Sequence, residues 1–297
     1  MNDPGGRSIA WIDGPGDGGS WGAPEQLALP LADRGLALAD GIFETILIQN
    51  AKPQLLEAHL QRWSESAARL GMDAPPDADR LRPLLTAAIE RSGCADAALR
   101  LNWSRGNSGR GIALPADDAP PSHRFWLQLS PWRPSFQSVS ALISQGERRN
   151  PASQISACKT FAYGWAVQAR REAHQGGADD ALLLNTAGQL CCATTANLLL
   201  LIEGCWLTPP LGSGCLPGIM RAQGLAQGWL QEADLWPVDL DRSQAGLLIN
   251  SLDCRPLQGK RPNALTTESL GPTARTLWQR CLQGAQQKRT IQDSSKK

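Results

Sequence analysis

The sequence predicts a mixed α/β (α+β) protein of two domains, and three observations carry that reading. A chain of 297 residues is too long for a single small core. Strand-length apolar runs alternate along it with segments of helical spacing. Residues 116–122, Ala-Asp-Asp-Ala-Pro-Pro-Ser, form an acidic, proline-rich stretch suited to a linker. The expected organisation is an N-terminal α/β domain over 1–115, a linker over 116–122, a C-terminal α/β domain over 123–282 and a disordered polar tail over 283–297.

The elements follow in order. Residues 8–13 alternate as an opening strand, then Gly14 to Gly19 fit the spacing G-x-G-x-x-G. A dinucleotide site needs a helix to open at the last glycine, and Ser20-Trp21-Gly22-Ala23-Pro24 cannot start one, so the match is excluded. Residues 41–49 read as a strand that turns over 50–53. Leu60, Trp63, Ala67 and Leu70 give 57–70 helical spacing, with Gly71 as the stop, and 79–91 reads as a second helix. A strand over 97–104 leads into the loop Arg105 to Gly111. Beyond the linker, 125–129 and 139–144 are strands and 161–174 a helix closed by Gly176-Gly177. Strands over 181–184 and 197–202, a helix over 219–230 introduced by Pro217-Gly218, and a buried strand over 246–250 complete the series. No internal repeat is present.

Composition narrows the function classes. With 42% hydrophobic and 19% charged residues the chain has the make-up of a globular protein. A formal charge of +1 gives no electrostatic basis for binding nucleic acid or an anionic membrane surface. The longest apolar run, Leu198 to Ile202, is far short of a membrane span, and the opening residues lack a signal-peptide layout. A cytoplasmic protein is expected. The eight cysteines form no C-x-x-C or Cys/His knuckle, so no metal is expected, and all except Cys192 read as small buried hydrophobes.

Lysine usage carries more information. Of 29 basic residues 23 are arginine and six are lysine. Lys288, Lys296 and Lys297 lie in the polar tail, and Lys52 and Lys260 in turn-like stretches. Lys159 alone is available to a folded element for imine chemistry. Its neighbours Ser156-Ala157-Cys158 and Thr160-Phe161-Ala162 are small or apolar, and desolvation there favours the neutral, nucleophilic amine. Read alone, the segment fits a snorkelling lysine at a strand end equally well. Downstream, Pro217-Gly218 directly before a helix leaves backbone amides open at its positive end, suited to a phosphate or to an ordinary helix start.

Taken in order, Asp33-Arg34-Gly35, Gly41-Ile42-Phe43-Glu44-Thr45, His59-Leu60-Gln61-Arg62, Lys159, Thr194-Thr195-Ala196-Asn197 and Pro217-Gly218-Ile219-Met220-Arg221 resemble the fold-type-IV pyridoxal-phosphate (PLP) enzymes. These are the branched-chain aminotransferases, D-amino acid aminotransferases and aminodeoxychorismate lyases. The resemblance implies a two-domain, D-amino acid aminotransferase-like fold with pyridoxal 5'-phosphate in the cleft between domains, a homodimer and a small-molecule substrate. It implies that Lys159 forms the Schiff base and transfers the proton. Arg62 would grip the phosphate with its planar fork, braced by His59. Ile219 and Met220, following Gly218, would add backbone amides, and Tyr163, the single tyrosine, would bond the pyridoxal hydroxyl. Cys192, Thr195, Ala196 and Leu252 complete the implied cofactor contacts.

Within the family, Met220, the segment Ile249-Asn250-Ser251-Leu252, the loop Ser104 to Gly111 and Arg149-Asn150-Pro151 are similar to the lyases. The implied reaction eliminates pyruvate from 4-amino-4-deoxychorismate to give p-aminobenzoate for folate synthesis. That substrate carries two carboxylates, for which Arg105 or Arg110 is the expected partner, or either is simply a loop arginine. One position departs from the pattern. The family has a glutamate five residues before the asparagine, bonded to the protonated pyridine nitrogen, and here Cys192 stands in that place. A neutral thiol is a weak partner for a pyridinium, so the electron sink should be shallower. The departure fits elimination, which aromatisation drives by itself, better than transamination. It also fits a catalytically silent, cofactor-binding homologue, and an aminotransferase acting on branched-chain or D-amino acids is the other enzyme reading.

Overall fold

The computed structural model describes residues 6–14, 18–107, 111–114, 122–258 and 267–294. They fall into two compact units, Met1–Arg133 with Cys158–Ala162, and Pro134–Ala157 with Tyr163–Lys297.

The first unit is built on one antiparallel sheet. Its elements are β1 (Ile9–Asp13), β2 (Gly19–Gly22), α1 (Arg34–Leu38), β3 (Gly41–Gln49), β4 (Lys52–Pro53), α2 (Leu56–Arg69), α3 (Ala78–Ser92), β5 (Ala97–Ser104) and β6 (Arg124–Pro131). The strand order is β2-β1-β6-β5-β3-β4. Gly19 opens β2, which pairs with β1, so the rejected G-x-G-x-x-G run does not start a helix. Alternation along the strands sends Ile42, Ile46 and Ile48, Leu99 and Leu101, and Phe125, Leu127 and Leu129 to one face. The apolar stripe of α2 and α3, including Trp63, Ala67, Leu81, Leu85 and Ala88, covers that face. Fully burying side chains of this kind contributes roughly 1.5–3 kcal/mol each. The Asp77 side chain caps α3 by accepting from the Arg80 amide, and Gly93 ends it in the left-handed conformation.

Two expectations about this unit are corrected. The division of the chain falls at Arg133/Pro134 rather than at 116–122, because β6 pairs with both β1 and β5 and belongs to the first sheet. Residues 116–121, most of the expected linker, lie outside the described residues. The lysine segment also belongs here, not to the C-terminal domain. Residues 158–162 run along the part of β3 that β4 leaves unpaired: Thr160 bridges Ile42, the Phe43 amide donates to the Lys159 carbonyl at 2.8 Å, and the Phe161 amide to that of Gly41 at 2.9 Å. Hence the helix expected from 161 begins only at Gly164.

The second unit contains β7 (Ala141–Arg149), α4 (Gly164–Gln175), β8 (Asp180–Asn185), β9 (Leu190–Ala193), β10 (Asn197–Ile202), β11 (Cys205–Thr208), α5 (Ile219–Ala226), β12 (Gln231–Glu232), α6 (Pro237–Arg242), β13 (Ala245–Ile249), β14 (Cys254–Pro256) and α7 (Thr267–Ser294). Its sheet runs β12-β11-β10-β9-β8-β7, with β13 also pairing β10 and β14. β8, β9 and β13 are buried along their whole length, which is why they read as apolar runs without alternation. The expected disorder beyond 282 is corrected by α7, which continues to Ser294. Leu270, Ala274, Leu277, Trp278 and Cys281 form its buried stripe, at the spacing one helix face requires. All eight cysteines are free, and only Cys205 is exposed. No helix among the described residues is long and apolar enough to cross a membrane.

Candidate functional site

In the first unit the site residues gather on β3 and α2. Pairing with β3 fixes the backbone of Lys159, and alternation then turns its side chain to the Phe43 side. The half-buried amine lies 4.3 Å from the centroid of the Phe43 ring. Arg100 of β5 stacks on the same ring at 3.6 Å. Phe161 lies beside Phe43 and Trp126, with ring centroids 6.3 and 5.5 Å apart. Gly41 is required for this approach, since a β-carbon there would sit 2.2 Å from the Phe161 ring. The segment is an aromatic-lined shelf carrying one amine.

On the helix-covered face, Glu44 is the only carboxylate among the apolar side chains of β3. Arg62 answers it with two parallel bonds, Nε to Oε1 at 2.8 Å and Nη2 to Oε2 at 2.6 Å. His59, one turn earlier on α2, places Nδ1 2.7 Å from Glu44 Oε2. All three are buried. Burial alone would raise the Glu44 carboxyl, but the Arg62 charge and the His59 bond outweigh it and bring the carboxyl down to about 2. Burial pushes the His59 imidazole below its ordinary range, so the ring is neutral and carries its proton on Nδ1, donating to the carboxylate. Thus His59 braces Glu44, and Glu44 fixes the plane of Arg62. The sequence reading named Arg62 and missed Glu44.

The expected substrate arginines fare differently. Arg105 is 7% exposed, with Nε on Asp40 Oδ2 at 3.0 Å, Nη1 on the Gly71 carbonyl at 2.7 Å and Nη2 on the Leu70 carbonyl at 2.9 Å. Those carbonyls end α2, so this guanidinium closes a helix and joins Arg34 on Asp40 instead of facing a ligand. Arg110 lies outside the described residues.

In the second unit the named residues converge at one end of β9, β10 and β13. Cys192 pairs across the ladder with Asn197. Asn197 Nδ2 donates to the Leu216 carbonyl at 3.0 Å, which fixes the approach to α5. A β-carbon on Gly218 would lie 1.9 Å from Asn197 Oδ1, so the N-cap residue is held to glycine and offers no side-chain cap. The first-turn amides of α5, those of Ile219 and Met220, therefore have no acceptor within the helix. The exposed Thr195 and buried Ala196 form the β9–β10 turn, and Asn250 Nδ2 reaches the Thr195 carbonyl at 3.3 Å. The Leu252 amide returns to Asn250 Oδ1 at 2.8 Å. From α7, Trp278 Nε1 donates to the Asn250 carbonyl at 3.0 Å, tying a helix absent from the sequence reading to this loop. Tyr163 stands at the N-cap position of α4 without a side-chain cap, its carbonyl accepts from the Val167 amide at 3.0 Å, and its ring lies 5.6 Å from that of Trp165.

The thiol of Cys192 is raised well above its ordinary range by its neighbour Cys191 and by burial, so it is the neutral form that this end of the sheet presents. Open amides beside a glycine-only approach suit an anion such as a phosphate. The half-buried amine on an aromatic shelf suits an aldehyde. On these features the residues present fit pyridoxal phosphate.

Comparison with known proteins agrees. A bifunctional aminodeoxychorismate lyase / D-amino acid transaminase of Mycobacterium tuberculosis is 31% identical over 201 residues, covering 60% of this chain and 65% of that protein. The aminodeoxychorismate lyase of Bacillus subtilis is 26% identical over 190 residues, covering 64% of each. The chain thus spans just under two thirds of the length of these curated relatives. Among solved structures, a hypothetical aminotransferase of Mycobacterium tuberculosis in its PLP-bound form is 25% identical, with a TM-score of 0.73 and coverage of 90% and 96% of the two chains. The branched-chain amino acid aminotransferase of Escherichia coli shares the fold, with a TM-score of 0.78 at 20% identity and 92% coverage of each chain. The family model of amino-transferase class IV matches residues 41–258, and the chain belongs to that family.

Proposed function

We propose that the protein is a pyridoxal 5'-phosphate enzyme that eliminates pyruvate from 4-amino-4-deoxychorismate, yielding p-aminobenzoate. Bound cofactor supplies an aldehyde that takes up an amine and an electron-withdrawing ring. In this reading Lys159 would hold that aldehyde, and its free amine would take the ring proton beside the substrate nitrogen. Arg62, its plane set by Glu44, and the Ile219 and Met220 amides behind Gly218 hold the phosphate. Tyr163 holds the ring hydroxyl, and Thr195, Ala196 and Leu252 border the cofactor. With Arg105 committed to Asp40 and to α2, Arg100 is the arginine that shares the Phe43 ring with Lys159, and we assign it to a substrate carboxylate. A cytoplasmic homodimer acting on a small molecule completes the reading.

One observation carries the lyase over the aminotransferase: the neutral, buried Cys192 at the position read as facing the ring nitrogen. The names of the Mycobacterium tuberculosis and Bacillus subtilis relatives support the same choice. The aminotransferase reading is supported by the second activity in the former name. Incubating cofactor-loaded protein with aminodeoxychorismate and measuring p-aminobenzoate and pyruvate in equal amounts tests the proposal. Amino-acid-dependent loss of the cofactor's aldehyde absorbance, without p-aminobenzoate, would instead identify an aminotransferase. Bound cofactor with neither activity would identify a silent homologue.

A further inference from the structure

Arg149, the last residue of β7, is a buried cation with an unusual set of partners. Its Nε donates to the Gly214 carbonyl at 3.2 Å, its Nη2 to the Ser156 carbonyl at 2.9 Å, and its guanidinium lies 4.3 Å from the centroid of the Trp165 ring. Carbonyl dipoles and an indole face stabilise the cation but do not neutralise it. The other buried arginines each meet a carboxylate: Arg62 has Glu44, Arg34 and Arg105 have Asp40, and Arg221 has Glu232. Among the described residues no carboxylate pairs with Arg149. Guanidinium does not deprotonate in proteins, so the charge stands.

Its surroundings say what that charge faces. Trp165 packs on a buried cluster that includes Leu183, Cys191, Cys192 and Cys215 beside three alanines. Arg149 is in register with Asn185 of β8, two residues along from Leu183, which pairs with Cys192. The charge reaches both Cys191 and Cys192. The thiols of Cys191, Cys192 and Cys215 are the other titratable groups of the cluster, and burial pushes that of Cys215 up to about 11.

We propose that Arg149 and Cys192 together hold the ring nitrogen of the cofactor unprotonated, with Arg149 as a positioning residue that selects elimination over transamination. The inference rests on the reading in which Cys192 faces that nitrogen. A standing positive charge and a neutral thiol both disfavour a pyridinium. Transamination needs the ring to store the carbanion's charge, whereas an elimination that makes the substrate aromatic does not.

The test uses the holoprotein loaded with PLP labelled with nitrogen-15 in the ring, read by NMR at neutral pH. The wild-type resonance is expected at the free-base position, and Cys192→Glu should move it to the pyridinium position. Arg149→Gln should raise the proton affinity of the nitrogen at least tenfold, read as movement toward the pyridinium position at unchanged pH, while Arg149→Lys should leave it in place. A wild-type resonance already at the pyridinium position overturns the inference even if Arg149→Gln does not fold, and so does a folded Arg149→Gln that leaves the resonance unmoved. Failure to bind PLP through Lys159 overturns the functional reading as well, and the missing bound-state signal distinguishes the two failures.

Discussion

Arg62 and Arg149 are both buried arginines, one in each unit, yet they carry their charge in opposite ways. Arg62 is clamped in two parallel bonds by Glu44, which His59 holds in turn. Arg149 rests on two carbonyls and an indole ring. Burying a carboxylate is costly, but a cation held in two parallel bonds offsets that cost, and the pair then acts as a rigid, nearly neutral bracket. A guanidinium held only by dipoles keeps its field, and nearby groups titrate in it. The difference teaches that burial and hydrogen bonding do not define what an arginine does. The counter-ion does.

The comparison matters only if both arginines serve a cofactor held by Lys159, and that is the largest effect to look for. Lys159→Ala should abolish the lysine-dependent absorbance of bound PLP and lower turnover by about 10²–10⁴-fold. Retention of that absorbance would break the comparison at its root. Next, Glu44→Gln leaves Arg62 buried without its carboxylate and should cost about 3–5 kcal/mol in urea denaturation. The wild type also has a pH signature here. Because the folded carboxyl lies at about 2 against an ordinary 4.5, its contribution is complete above 4.5 and fades as pH falls toward 2, a loss of about 3 kcal/mol. His59, whose folded value burial depresses, adds an earlier loss as pH falls below its ordinary 6.5. Acid unfolding of Glu44→Gln should lack the lower phase.

A smaller effect sharpens the second-unit side. In Gly218→Ala the new methyl would lie 1.9 Å from Asn197 Oδ1, so the bond from Asn197 to the Leu216 carbonyl must break or shift. PLP affinity measured by titration should fall by about tenfold, the equivalent of roughly 1.4 kcal/mol. Unchanged affinity would show that the approach to α5 does not hold the phosphate. The smallest change is Trp278→Phe, which removes the bond to the Asn250 carbonyl while keeping most of the ring. A loss of about 1 kcal/mol in stability is expected, with turnover nearly unchanged.

Much of this architecture was legible. The limits of β3 and β5 follow from apolar runs ended by turn residues, and α2 from the spacing of Leu60, Trp63 and Ala67. Lys159 stood out as a candidate because only six of the 29 basic residues are lysine and the other five lie in turn-like stretches or the polar tail. Glu44 could have been found: Ile42, Ile46 and Ile48 share its face, so a carboxylate in that series demands a buried cation, and Arg62 lies on the same stripe of α2 as Trp63. Three features depend on distant pairing that no local pattern reports. These are the use of Arg105 to close α2, the membership of β6 in the first sheet, and the return of residues 158–162 to β3. The helix α7 was hidden by composition, because Gly271, Pro272 and a glutamine-rich end obscure its apolar stripe.

That return segment has a practical consequence for anyone who would divide this protein. The chain leaves its first unit at Arg133, comes back for Cys158–Ala162, and departs again. A single cut at Arg133/Pro134 yields two contiguous fragments, and Lys159 travels on the one lacking Gly41 and Phe43, whose backbone groups anchor it. Split versions, module exchanges and permuted variants must therefore graft 158–162 from the same parent that donates β3, or the Lys159 amine will be supplied without the strand that aims it.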